Sequence, residues 1–235
     1  MNTIRAKQVV RAFGLAVSGV CAVLALGVSQ SNAANIQFNF SGSVGDVFGR
    51  VFTPGGTGSN GFSSSLPMSG SMTFNSGASD QNTGSNIFGD FVGNGSNSPI
   101  QNLTVTVGNY TATFVPGSSS IEVINNHPAF GDSYRISVTG LTGPEINGRL
   151  PSGFELELND PSGNVFSSDH LPTAPPSLSS FASNQWRLIF TGVGHRVQGA
   201  LTSLVPLPAA VWLFGAGLIA LVGLGSRGLA TRKES

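Results

Sequence analysis

Apolar and polar residues alternate along most of this chain with a period of two. In "NIQFNFSGSV" Ile36, Phe38 and Phe40 fall on one face and Asn35, Gln37 and Asn39 on the other. "NLTVTVGNYTATFV" repeats the pattern through Leu103, Val105 and Val107 and again through Tyr110, Ala112 and Phe114. Side chains of an extended strand point alternately to opposite faces, so each run predicts a half-buried strand. Gly108 and Asn109, between two such runs, predict a tight hairpin turn.

Further strands are expected in "RVF" at 50–52, "GSMTFN", "NIFGDFV", "SIEVIN", "SYRISVTG", "GFELELND", "NQWRLIFTG" and "RVQGALTSL". Within "FELELND", Glu155 and Glu157 alternate with Phe154, Leu156 and Leu158, which assigns both carboxylates to a solvent-facing strip. Gly, Pro, Asn and Ser clusters separate almost every pair of runs. "TPGGTGSNGFSSSLP" and "DQNTGSN" offer little apolar surface to offset the entropy of ordering and predict long flexible loops. No segment of the body places apolar residues at helical spacing over three turns. The expectation is an all-β fold, an antiparallel β-sandwich of jelly-roll type, with a closed barrel as the alternative.

The two ends break the alternation. Arg5, Lys7 and Arg11 precede an uncharged apolar stretch at 12–28 and the small-residue sequence "SNAA". That order is the one of a secretory signal peptide, with cleavage expected between Ala33 and Ala34 or at the next bond. The run of about 17 residues is short of the ~20 that cross a bilayer. At the other end, residues 209–225 carry no charge and are followed by Arg227, Arg232 and Lys233. A single transmembrane helix is expected there, with the basic tail cytoplasmic and the β body outside. The resulting division is 1–33 signal peptide, 34–204 β body and 205–235 C-terminal segment.

Charge and cysteine content narrow the chemistry. Between the two ends, ten acidic groups stand against Arg50, Arg135, Arg149, Arg187 and Arg196, a net of about −5 without a single lysine. Clustered lysine and arginine supply most nucleic-acid affinity, so nucleic acid is excluded as a partner. Charged residues are 9% of the chain, against ~25% in ordinary soluble domains. Cys21, the one cysteine, lies inside the signal, so the cleaved body has no thiol for disulfides, thiolate metal sites or nucleophilic catalysis.

The remaining candidates for chemistry are thin. "SSDH" at 167–170 holds serine, aspartate and histidine, but neighbours on an extended loop diverge, whereas a triad needs its base within ~3 Å of the nucleophile from a separate element. His127, His170 and His195 are 43 and 25 residues apart, not at metal-ligand spacing. "NDPSGN" and "FGDFVGNG" hold oxygen ligands of the kind Ca²⁺ takes, without the spacing of a dedicated loop. Glu155 and Glu157 lack a cleft in which a glycosidase pair would flank a sugar. Phe48, Phe62, Phe91, Tyr134 and Trp186 offer ring faces for carbohydrate, although in a β-sandwich most such rings are core. No enzyme, no cofactor and no metal is expected.

The C-terminal sequence "VPLPAAVWLFGAGLIALVGLGSR" resembles the PEP-CTERM sorting signal of Gram-negative bacteria, in a variant form with Leu207 where the namesake motif has Glu. The resemblance covers about the last 30 residues. It implies recognition of Val205, Pro206, Leu207 and Pro208 by an exosortase, a membrane-embedded processing enzyme, with the helix at 209–225 as a stop in the membrane and Arg227, Arg232 and Lys233 as a cytoplasmic lock. Two prolines are expected to hold this motif extended and accessible. "FSGSVG", "FSSDHLP" and "GALTSL" are similar to short motifs of one set of such exported proteins, for which the family assigns no activity. The implied role is a non-enzymatic cell-surface or exopolysaccharide-matrix protein that reaches the surface after inner-membrane transit, with the membrane, the exosortase and extracellular polysaccharide as partners. A membrane-anchored carbohydrate-binding or adhesive module is the alternative.

Overall fold

The computed structural model describes residues 35–114 and 116–206. Thirteen strands fill this stretch: β1 (Asn35–Phe48), β2 (Thr57–Gly58), β3 (Gly61–Phe62), β4 (Pro67–Asn75), β5 (Phe88–Asn94), β6 (Ile100–Val107), β7 (Tyr110–Phe114), β8 (Ser118–His127), β9 (Gly131–Thr139), β10 (Leu141–Thr142), β11 (Pro151–Asp160), β12 (Ser183–Phe190) and β13 (Arg196–Pro206). The period-two reading locates these strands well. The predicted hairpin is present, with Val107 opposite Tyr110 and Gly108 at φ +59°. "RVF" is the exception, because Gly49–Val51 forms a single 3-10 turn.

The expected sandwich is corrected. Eleven strands form one antiparallel sheet in the order β10-β7-β6-β4-β1-β13-β12-β11-β9-β8-β5, and only β2 and β3 pair separately. What would have been two sheets is joined through β1, whose 14 residues pair with β4 on one side and β13 on the other. The sheet buries its apolar face by curling on itself into a half-barrel. Phe40 on β1 and Phe154 on β11 are three strand steps apart, about 14 Å in a flat sheet at ~4.8 Å per step. Their rings nevertheless stack at 5.5 Å.

The bend has a local cause. Register shifts between Ser41 and Gly42 and between Val44 and Asp46 mark β-bulges in the β1–β13 ladder, and bulges sharpen twist and curvature. Gly199 permits the close approach there, since a side chain at that position would collide with the Ser43 carbonyl oxygen. Inside the curl, Phe38, Phe40, Phe62, Phe74, Phe154 and Trp186 are buried in one continuous core. Of the rings considered for carbohydrate, Phe62, Phe91, Tyr134 and Trp186 are core, and Phe48 remains exposed.

One expected loop is more ordered than its composition predicts. Residues 53–67 carry the β2–β3 pair, and Phe62 within them is fully buried against Tyr110 and Phe190. A single aromatic anchor supplies the apolar surface that the glycines and serines lack.

The expected transmembrane helix at 209–225 lies outside the described residues. Among the described residues no helix is long and apolar enough to cross a membrane. Their helical turns are three 3-10 turns of three residues each. Nothing among the described residues supports that helix, or the membrane partner, the exosortase partner and the inner-membrane transit step expected with it.

Candidate functional site

Of the expected sorting residues, Val205 and Pro206 close strand β13, opposite Asn39 and Phe38 of β1. The β body thus runs two residues past the boundary drawn at 204. Leu207, Pro208, Arg227, Arg232, Lys233, Ala33 and Ala34 lie outside the described residues.

The three histidines are in separate places. His127 ends β8 and stacks on Phe130 at 4.3 Å. His170 is exposed, with Nδ1 3.5 Å from Asp169. His195 lies in the β12–β13 connection. Among the described residues no group of three or more His, Asp or Glu side chains converges as a metal site.

Of the acidic residues considered for Ca²⁺, Asp160 is used in a turn and Asp90 lies within strand β5. Asp160 Oδ2 accepts from the Ser162 hydroxyl at 2.6 Å and from the Asn164 amide at 3.3 Å. The Ser162 hydroxyl bond, with the amides behind it, holds the Asp160 carboxyl below the usual range against the opposing pull of burial. Asp90 is pinned at its backbone, its amide donating to Asp80 Oδ1 at 2.9 Å and its carbonyl accepting from Gln81 at 2.7 Å. Asp132 is fully buried and ties down the segment after β11. Its two oxygens accept from the amides of Asn126, Val165 and Phe166 at 2.7, 2.6 and 2.7 Å.

Glu155 and Glu157 form a charge ladder across the outer face of β8, β9, β11 and β12. Arg187 bridges both at 3.0 and 3.3 Å, and Arg135 joins Glu157 to Glu122 at 3.2 and 3.3 Å. Burial pulls the Glu157 carboxyl up, yet hydrogen bonds from Asn159 and Arg135 and the charges of Arg135 and Arg187 carry it below its ordinary value. Both oxygens of Glu157 carry hydrogen bonds, and Glu155 is held through Oε2.

The other half of the outer surface carries regular rows of uncharged side chains. Strand register sets Thr142, Thr113, Thr104, Ser71 and Asn39 in one row across five strands. A second row runs Thr111, Thr106, Ser69, Ser41 and Ser203. All ten are exposed or half-buried. Neighbouring side chains in a row are ~4.8 Å apart and the rows ~6.8 Å apart by strand geometry. Thr113 bonds Thr142 at 3.0 Å and Thr106 bonds Thr111 at 3.0 Å, which links the side chains along both rows at the β7 side. A shallow groove lies between Asn39, Ser41, Ser69, Ser71, Thr104 and Thr106.

This face is the site that sequence reading missed. Its residues are the polar partners in the same alternation that located the strands, such as Thr104, Thr106, Thr111 and Thr113 in "TVTVGNYTAT". What was missing was register, because rows form only when strands distant in sequence align. No protein-family model, no curated protein and no solved structure matches this chain.

Proposed function

We propose that this protein is a non-enzymatic matrix component whose β body holds neutral polysaccharide on the hydroxyl face. The observation that carries the reading is the pair of rows, nine hydroxyls and the Asn39 amide, all uncharged and set on six adjacent strands. Each hydroxyl both donates and accepts, as sugar hydroxyls do. Serine and threonine lose little side-chain entropy on contact, so an ordered plane of them costs less than one of long polar side chains. A neutral hydrogen bond contributes only ~0.5–1.5 kcal/mol net. Such a face therefore suits a polymer that makes many weak contacts, where linked repeats multiply affinity.

The test is native gel electrophoresis of the full chain through gels holding hydroxyethylcellulose, dextran or agarose. Retardation of the wild type by at least one of them, abolished in Thr104→Lys and Ser71→Lys, is the expected result. Equal retardation of wild type and variants by every polymer overturns the reading, as does no retardation at all.

A further inference from the structure

The five arginines of the body are unevenly used. Arg135 and Arg187 sit in the charge ladder, whereas Arg50, Arg149 and Arg196 make no ion pair among the described residues. These three meet at one corner, where the turn Gly49–Val51, the loop before β11 and the β12–β13 connection come together.

The corner is built rather than accidental. The Arg50 amide donates to His195 Nδ1 at 3.2 Å, and Asn147 Nδ2 donates to the Arg50 carbonyl at 2.9 Å. Thr191 and Leu150 exchange bonds of 2.9 and 3.2 Å, and Arg149 Nη1 reaches the Thr191 carbonyl at 3.4 Å. The His195 ring lies against Gly49, at φ +73°, where any side chain would strike it. The Arg149 Nε is buried without a hydrogen-bond partner. Arg196 lies over the Phe48 ring at 4.3 Å and donates from Nε to Gln198 at 2.8 Å.

Apolar side chains are interleaved with these cations. Phe48, Phe52, Leu150 and Val193, from the same three segments, are four of the seven large apolar residues exposed among the described residues. A shallow groove beside them is bounded by Arg187, Ile189, His195 and Arg196, and Glu155, which also lines it, is already held by Arg187 at 3.0 Å. Unpaired guanidiniums with fixed backbones are pre-organised for two-point bonds to carboxylates. The exposed apolar surface matches the C–H faces of sugar rings.

We propose that this corner binds an acidic polysaccharide, with Arg50, Arg149 and Arg196 taking ring carboxylates and the adjoining apolar side chains taking the ring faces. The site shares no residue with the hydroxyl rows, so it stands or falls separately from the reading above.

The experiment titrates polygalacturonate into the full chain by calorimetry, with hydroxyethylcellulose and dextran sulfate in parallel. Polygalacturonate is expected to bind with an affinity that falls as salt rises. That affinity drops at least tenfold in the double variant Arg149→Gln/Arg196→Gln and is unchanged in Arg135→Gln. Arg50→Gln, on an exposed turn, gives the same direction if the double variant does not fold. On the wild type, polygalacturonate shifts the imidazole resonances of His195 and leaves those of His127 and His170 in place. Unchanged affinity in the folded arginine variants, an equal loss in Arg135→Gln, or unmoved His195 resonances overturns the proposal. Tighter binding of dextran sulfate than of polygalacturonate overturns the carboxylate assignment. Failure of the hydroxyl-face reading shows in the neutral-polymer gels, and failure of this one in the polygalacturonate arm.

Discussion

The rings of Tyr110 and Phe190 lie 5.7 Å apart, although β7 and β12 are five strand steps from each other in the sheet. In a flat sheet the separation would be about 24 Å at ~4.8 Å per step. This contact, shared with Phe62 at 5.2 and 5.6 Å, closes the curl.

Phe190→Ala removes the ring at the meeting point of these walls. A loss of ~3–5 kcal/mol is expected, because a fully buried aromatic leaves both its transfer energy and a cavity. Val193→Ser, at a residue 99% exposed, is expected to stay within about 0.5 kcal/mol of wild type. Urea unfolding monitored by tryptophan fluorescence measures both, and equal midpoints would mean that the curl is closed elsewhere.

Asp132→Asn keeps the shape of a buried side chain and turns an amide NH₂ toward backbone donors. Either orientation leaves at least one of the Asn126, Val165 and Phe166 amides without its acceptor. An unmet buried donor costs ~1–3 kcal/mol. The expected outcome is a destabilisation of that size together with faster amide hydrogen exchange at Val165 and Phe166. Unchanged exchange at those two amides would show that Asp132 does not tether the segment.

His195 gives the corner a pH dependence. Burial, then the charges of Arg149 and Arg50, hold its pKa below the ordinary 6.5. The folded state therefore favours the neutral ring, whose Nδ1 accepts from the Arg50 amide. Its contribution is fully present above about pH 6.5 and is lost as pH falls through the lowered folded value. The carboxylates Glu157 and Asp160, also lowered, act in a separate window, starting below their ordinary 4.5 and 3.8. Thermal melts between pH 7.5 and 5 are expected to fall for the wild type and to fall less for His195→Asn, which keeps an acceptor for the Arg50 amide and no titrating ring. Parallel slopes for the two proteins would remove His195 from this window.

Local pattern dictates a good part of this fold. Alternation locates nearly all the long strands, Gly108 and Asn109 mark the hairpin, and Glu155 and Glu157 fall on one outward strip. Phe62 departs from its local pattern because one buried ring orders a loop that its glycines and serines alone would not. The hydroxyl rows were hidden for a different reason, since Ser71 and Thr104, or Ser41 and Ser203, become neighbours only through pairing.

The sequence by itself determined which residues face inward and which outward along each strand, because strand geometry has a period of two whatever the strand pairs with. It also determined a body of net negative charge without lysine or thiol. Only the tertiary structure decided that the strands form one curled sheet rather than two stacked ones. That choice depends on the bulges in the β1–β13 ladder and on contacts between residues more than a hundred positions apart. The same closure set Thr and Ser in rows and drew Arg50, Arg149 and Arg196 to one corner, since register and curvature are properties of paired strands and not of any single one.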